Sequence, residues 1–407
     1  MTQIRKGPTR RRLLKAAACT GFGLIEAPAL LRYAAAQSWH AGDPFSLGVA
    51  SGASRPDGFV LWTRLAPEPL SNNPATPGGM RGGDTTVVYE IATDPALRDV
   101  VRRGEATAEQ AFAFSVHLDV RGLEPGRPYW YRFMSGDAAS RSGRAATLPA
   151  PESAPEQLRF GFVSCSNYEH GYFSAYRHLA DENPEFVLYL GDYIYERIDE
   201  KRPTVRRHSD GIEAATLPTY RNRYAQYRLD PDLQRLHAEV PSLVTWDDHE
   251  VANDYADKWS ERFDDPELFL MRRAAAYQAF YEHMPVRPIL SLPNGPFMRV
   301  YDRFAFGDLI EVSLIDGRQH VVRRKGTITL VGLPPGEFAT PIFEVVLGRI
   351  TIRGSIVGGR QDLAEAIAFA AEGKVRSHIH KMKLEDINKV FANMKAGKID
   401  GRMVMTF

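Results

Sequence analysis

Cysteine is almost absent from this chain: Cys19 and Cys165 are the only two in 407 residues. A disulfide-stapled framework is therefore excluded, because one bond at most could form. Excess charge is lacking too, with a net +1 for the whole chain. The first 37 residues hold seven basic residues and one acidic one, a surplus of six, so the remainder carries a net −5. That balance gives no support for a nucleic-acid partner held by a global basic surface. Beyond the N-terminus no apolar run is long enough to span a membrane, so no membrane anchor is expected there. The length predicts two to three domains at roughly 150 residues each.

The N-terminus has the pattern of a targeting segment. Thr9 to Leu24, TRRRLLKAAACTGFGL, joins paired arginines to a short, weakly apolar core, and Ala34, Ala35 and Ala36 form a small-residue cleavage site. This looks like a twin-arginine signal, with the twin-arginine export machinery as partner and the periplasm or the exterior as destination. Glu26 within the apolar region runs against the pattern. Cleavage near Ala36 removes Cys19 and leaves Cys165 alone in an oxidising compartment.

From Phe45 to Pro149 the runs FVLWTRL, TTVVYEIAT, FSVHLDV and YWYRFMS are separated by Gly, Pro and Asp turns. Short alternating strands at that spacing predict a β-sandwich, with Tyr129 to Tyr131 in its core and strand faces. Pro149 to Pro155 reads as a linker. After it, strands are expected at Leu158 to Val163, Phe186 to Leu190 and Leu243 to Trp246. Helices are expected at Phe173 to Leu179, Tyr220 to Gln226, Pro231 to His237 and Met271 to Met284. In the last of these Tyr277, Phe280, Tyr281 and Met284 form a buried stripe, and Arg272 and Arg273 read as a solvated face, with phosphate contact as the alternative.

Three of these strands run directly into metal-binding residue types. The first ends at Cys165, whose thiolate needs a cation to hold it deprotonated. The second ends in Gly191, Asp192 and Tyr195, and the G-D-x-x-Y spacing aims a carboxylate and a phenolate from one turn; a phenolate suits ferric iron. The third, SLVTWDDHEVAND, brings Asp247, Asp248, His249, Glu250, Asn253 and Asp254. Open α/β sheets collect ligands at strand carboxyl ends, and three such ends predict a dinuclear metal hydrolase.

These residues resemble the PhoD-type alkaline phosphatases, a branch of the metallophosphoesterases. The resemblance is carried by GVASG with DGFVLWTRL, VSCSN, LGDYIYE, YRNRYAQYR and TWDDHE, and it runs to about Gln319. Ala53 and Ser54 depart from the family's usual Asp-Pro. It implies an immunoglobulin-like sandwich ahead of the catalytic domain, and hydrolysis of phosphate esters with ferric iron and calcium as cofactors. Asp192 would bridge the metals, with Cys165 and Tyr195 on the iron side and Asp248 or Asn253 serving calcium. His249 takes the place of the histidine in a G-N-H-E motif and would stabilise charge on the phosphoryl group. Asp247 is the second catalytic candidate.

Past His320 the resemblance breaks, because the G-D-x-H motif expected to supply further ligands does not occur. From about Val322 to Phe407 the chain instead resembles the C-terminal end of a zinc-dependent alcohol dehydrogenase. That tail has no cysteine for a zinc site and no G-x-G-x-x-G turn. Arg360 reads as a surface arginine, and His378 and His380 lack the preceding strand and G-D that would make them replacement ligands. The expected organisation is a signal at 1–37, a sandwich at 38–149, an incomplete α/β metallophosphoesterase domain at 150–320 and a partial Rossmann-like α/β segment at 321–407. Strand faces such as Leu309 to Leu314 are expected to lack their partners. A phosphoesterase completed by the tail, an inactive remnant, a dehydrogenase-like fragment and a non-catalytic binding protein all stay open.

Overall fold

In the computed structural model the chain forms two compact units, divided between Val321 and Val322. The structure describes Trp39, residues 42–200, 202–262 and 264–320, and in the second unit 327–331, 351–355, 360–373, 378–396, 398–399 and 402–406. The expected signal segment and the junction at 321–326 lie outside the described residues.

The first unit begins with β1 (Val49–Arg55), β2 (Gly58–Arg64), β3 (Thr85–Ala92), β4 (Val100–Ala108), β5 (Ser115–Arg121), β6 (Pro128–Ser135), β7 (Ala138–Ala139) and β8 (Gly143–Ala146). Strand β4 alternates partly buried with exposed residues and carries Arg102, Arg103 and Glu105. Its charge hides it from an apolar-run search. In β6 the buried Tyr129, Tyr131 and Phe133 alternate with partly buried Trp130, Arg132 and Met134, the period of two that a half-covered strand requires. Strands β5, β2 and β1 form one antiparallel array, and β4, β3, β6 and β7 another with β8 on β6. Phe59, Leu61, Val87, Ile91, Val116, Val120 and the β6 aromatics close a single apolar core from both arrays.

The first array does not stop at the Pro149–Pro155 segment. It continues through β11 (Ser242–Val244), β10 (Phe186–Tyr189) and β9 (Phe160–Val163) into one six-stranded sheet, order β5-β2-β1-β11-β10-β9. The β1–β11 step is parallel, with Gly52 opposite Ser242. A Cβ on Gly52 would stand 2.7 Å from the carbonyl oxygens of both Ser242 and Pro285, so only glycine permits this join.

Helices α1 (Ser174–Asp181), α2 (Leu217–Arg228), α3 (Pro231–Glu239) and α4 (Pro266–His283) complete the unit's regular structure together with a hairpin, β12 (Asp302–Phe306) and β13 (Ile310–Leu314). Asp230 caps α3 through the N–H groups of Asp232 and Leu233, and Asp265 caps α4 through Glu267. Every residue of α2 from Tyr220 to Arg228 is buried, four arginine and asparagine side chains included. Arg221 explains how: its guanidinium meets Glu282 of α4 in a fork at 2.7 and 2.6 Å. Arg272 and Arg273 are not a solvated face. Arg273 is fully buried, and Arg272 bonds the Tyr220 hydroxyl and the Glu213 carboxylate, both at 2.8 Å. Among the described residues the strand ending at Leu314 pairs only with β12, in a two-stranded sheet apart from the six-stranded one, and buries Leu314 among Phe304, Phe306, Phe186 and Leu243. Leu309 and Ile310 stay exposed, as do Phe160 and Phe162 on the edge strand β9.

The second unit contains, among its described residues, two parallel strand pairs, β14 (Thr327–Val331) with β15 (Thr351–Ser355) and β16 (Ile379–Lys383) with β17 (Arg402–Thr406), and helices α5 (Arg360–Ala371) and α6 (Ile387–Lys395). His380 does lie on a strand, β16, and the rings of His378 and His380 stand 4.8 Å apart.

Candidate active site

The three turns that leave β9, β10 and β11 come together at one end of the sheet. Gly191, at φ +107°, makes this possible: a Cβ there would sit 2.3 Å from the Asp247 nitrogen. Cys165 and Asp192 hold left-handed backbone conformations, φ 57° and 51°, immediately past their strands. Such geometry costs on the order of 1–3 kcal/mol per residue and persists only where the surroundings enforce it.

The enforcement is visible in the hydrogen bonds. The Tyr227 hydroxyl, at the end of α2, accepts from Tyr168 N and Tyr195 N at 3.1 Å each, tying the first turn to the second. Glu250 accepts from Tyr193 N at 2.6 Å and Asp247 N at 2.9 Å, tying the second to the third. Glu196 makes a further tie, to His249 Nδ1 at 2.6 Å and to Asn253 N at 2.8 Å.

Within this frame the residues expected from the sequence divide into groups. Tyr195 donates its hydroxyl to Asp192 Oδ2 at 3.1 Å, and the Cys165 thiol is within hydrogen-bonding reach of both. Asp192, Asp248 and His249 are buried and offer ligand atoms within 4.8 Å of one another. Asn253 turns its amide to Asp254 and Glu261, each at 3.0 Å. Asp247 is drawn aside by Arg318, whose Nε lies 2.5 Å from its Oδ1 while Nη2 reaches Asp248 Oδ1 at 3.2 Å.

Arg318 and Glu196 were not among the expected site residues, and Glu250, expected only as one of the ligand types after the third strand, braces two backbone N–H groups instead. Arg318 had a signal of the same kind as the others, a strand (Ile310–Leu314) running into the polar cluster Asp316, Gly317 and Arg318. Asp316 fixes that turn by accepting from Trp246 Nε1 at 3.0 Å and Arg318 N at 2.9 Å.

The electrostatics are those of an anionic site short of positive charge. Burial raises the Asp192 carboxyl to about 6, with Asp248 and Asp247 adding to the rise against the opposing pull of His249. Burial raises Glu250 to about 8. Burial also raises Cys165 and Tyr195, and the nearby Asp192 charge raises both further. For His249 burial favours the neutral ring, but Glu196, Asp192 and Asp248 outweigh it and the net shift is upward. A thiol, a phenol and the Asp192 carboxyl, whose charged forms burial disfavours, fit a multiply charged cation, which would stabilise all three in their charged forms.

Residues 32–149 match the model of the PhoD-like phosphatase N-terminal domain, and residues 160–341 match that of the PhoD-like phosphatase itself. This part of the chain belongs to the PhoD-like phosphatase family. "Alkaline phosphatase D" of Bacillus subtilis (strain 168) is 49% identical over 281 residues, 68% of this chain and 47% of that protein. A solved structure described as "Structure of PhoD" superposes with a TM-score of 0.67 at 48% identity, covering 70% of this chain and 54% of the other. The chain thus spans about half the length of its PhoD-like relatives. Its C-terminal region is alcohol-dehydrogenase-like: an "Alcohol dehydrogenase" of Rhizobium meliloti (strain 1021) is 59% identical over 85 residues, 21% of this chain and 25% of that enzyme. Two families therefore meet in one polypeptide.

Proposed function

We propose that the chain is an exported, metal-dependent hydrolase of phosphate esters, with its reaction centre at the ends of β9, β10 and β11. The observation that carries this is the buried trio Asp192, Asp248 and His249 with ligand atoms within 4.8 Å, beside the exposed Cys165 thiol and the partly buried Tyr195 phenol, both raised in pKa by desolvation and by the Asp192 charge. Cys165, Tyr195 and Asp192 would hold ferric iron, and Asp248, with Asn253 after its amide turns, would hold calcium through hard oxygen donors. Bound there, the cations supply charge neutralisation and a water of lowered pKa. Asp192 stands between the two groups of ligands.

His249 is held by Glu196 at Nδ1, which leaves Nε2 for the substrate, and its raised proton affinity lets it meet negative charge building on the phosphoryl group. A second reading makes Nε2 a metal ligand, since a carboxylate behind a ligating histidine is the usual support for one. The closeness of His249 to Asp192 and Asp248 favours that reading. Asp247, tied to Arg318, is the remaining acid–base candidate and keeps Asp248 oriented through the shared guanidinium.

Export rests on the arginine run and small-residue site at 1–37, and the sandwich at 38–149 is read as immunoglobulin-like. The C-terminal segment is read as the Rossmann-like remainder of a dehydrogenase without zinc or cofactor function. Metal content of the purified chain tests the proposal: iron and calcium should be retained after dialysis, with iron lost in Cys165→Ala and both lost in Asp192→Asn. Equal retention by parent and variants would refute the site.

A further inference from the structure

Beside the metal-ligand candidates opens a cleft of about 440 Å³, lined by Tyr195, His249 and Asn253 together with Asn167, His170 and Arg197. That volume falls within the roughly 300–1,000 Å³ of small-molecule sites and exceeds what one phosphate group fills. The cations and His249 account for one end of a substrate; something else must hold the rest.

Arg197 is placed to do so. Other arginines around the site are engaged: Arg206 to Asp230 at 2.7 Å, Arg223 to Asp210 at 3.2 Å, Arg272 to Glu213 at 2.8 Å and Arg318 to Asp247 and Asp248, while Arg202 of the same cleft wall is 74% exposed and lies 3.9 Å from Asp199. Arg197 is partly buried in the cleft wall and makes no hydrogen bond, ion pair or ring contact with any described residue. Its guanidinium is open to the cleft and no carboxylate among the described residues binds it, so a bidentate anion entering there meets an uncommitted cation. Acidic groups in the same wall do not supply that anion. Asp199 takes His170 Nε2 at 2.9 Å and Arg202 N at 3.0 Å, and Glu200 is exposed. Arg197 also directly follows Glu196, the support of His249, so its place relative to the reacting phosphate is fixed by the same turn.

We infer that Arg197 anchors a second anionic group of the substrate, a phosphate or carboxylate outside the reaction centre, and so selects esters bearing an additional negative charge. The inference rests on the phosphoesterase reading above. Its test uses the full chain loaded with iron and calcium, and compares a p-nitrophenyl phosphodiester of a neutral alcohol with the same diester carrying one further phosphate on that alcohol. Arg197→Gln should raise KM for the doubly charged ester about tenfold more than for the singly charged one, the loss expected of one charge-assisted contact, with kcat little changed. Arg197→Lys should recover part of the difference. Equal KM changes for the two esters would overturn the inference. Should neither ester be hydrolysed, the phosphoesterase reading falls by itself, and equilibrium dialysis with inorganic pyrophosphate decides on Arg197. Binding by the parent that Arg197→Gln abolishes supports the anchor, and indifference to the substitution removes it.

Discussion

The Glu196 carboxylate lies 2.6 Å from Nδ1 of His249, and its other oxygen takes the Asn253 backbone N–H at 2.8 Å. With 2% of its surface exposed, Glu196 has no water to share that charge with. One buried carboxylate therefore sets both the orientation and the proton affinity of the histidine that clusters with Asp192 and Asp248. Glu196→Gln keeps the shape and removes the charge, so the His249 ring should titrate at lower pH than in the parent. Histidine ring NMR of the metal-free chain measures this, and an unchanged titration would show that Glu196 only fills space.

Gly191→Ala should be among the most damaging single changes in the chain. The added methyl meets the Asp247 nitrogen at 2.3 Å, and φ +107° is strained for any side chain. A loss of about 2 kcal/mol or more is expected, from backbone strain and displacement of the β11 turn together. Urea unfolding measures it, and metal retention should fall in parallel.

The buried fork between Arg221 and Glu282 predicts a second stability effect, independent of the site. Glu282 is fully buried, so Glu282→Ala leaves the Arg221 charge in the interior without its partner. Removing one member of such a pair costs about 3–5 kcal/mol. A loss below about 1 kcal/mol in denaturant unfolding would mean that water reaches Arg221.

His117 predicts a pH effect with a definite sign. Burial lowers its pKa from 6.5 to about 4, against the raising influence of the carbonyls of Met284 and Tyr281 that its Nε2 faces at 3.0 and 2.8 Å. Below pH 6.5 the unfolded chain takes up a proton that the folded chain refuses, so this contribution is complete above that pH and is lost as pH falls toward 4, by up to about 1.4 kcal/mol per pH unit. Asp192 and Glu250 act with the opposite sign because their folded values are raised. The measurement is therefore the difference between the parent and His117→Asn at pH 7 and at pH 5, where the parent should lose stability relative to the variant.

Much of the candidate cluster, Asp192 with Asp248 and His249, was legible because its residues follow apolar strands at short range. Gly191, Asp192 and Tyr195 announce one turn, and Asp248 and His249 another. What escaped depends on contacts distant in sequence. Glu250 is the acidic member of TWDDHE that turns away from the cluster to brace two backbones, which only the folded neighbours of β10 reveal. Arg318 lies 70 residues from its partner Asp248. The β1–β11 join rests on Gly52 and Ser242, neither of which carries a periodic signal. Arg273 read as solvated because arginine is rarely buried whole, yet it is fully enclosed and bonds the Asp257 carbonyl at 2.7 Å.

The most direct measurement is hydrolysis of a chromogenic phosphodiester by the purified chain supplied with iron and calcium, alongside Cys165→Ala and Asp192→Asn. The account predicts turnover by the parent that chelation abolishes and that both variants lack while remaining folded. A folded, metal-loaded parent without turnover, or variants that match it, would contradict a phosphoesterase centre in this chain.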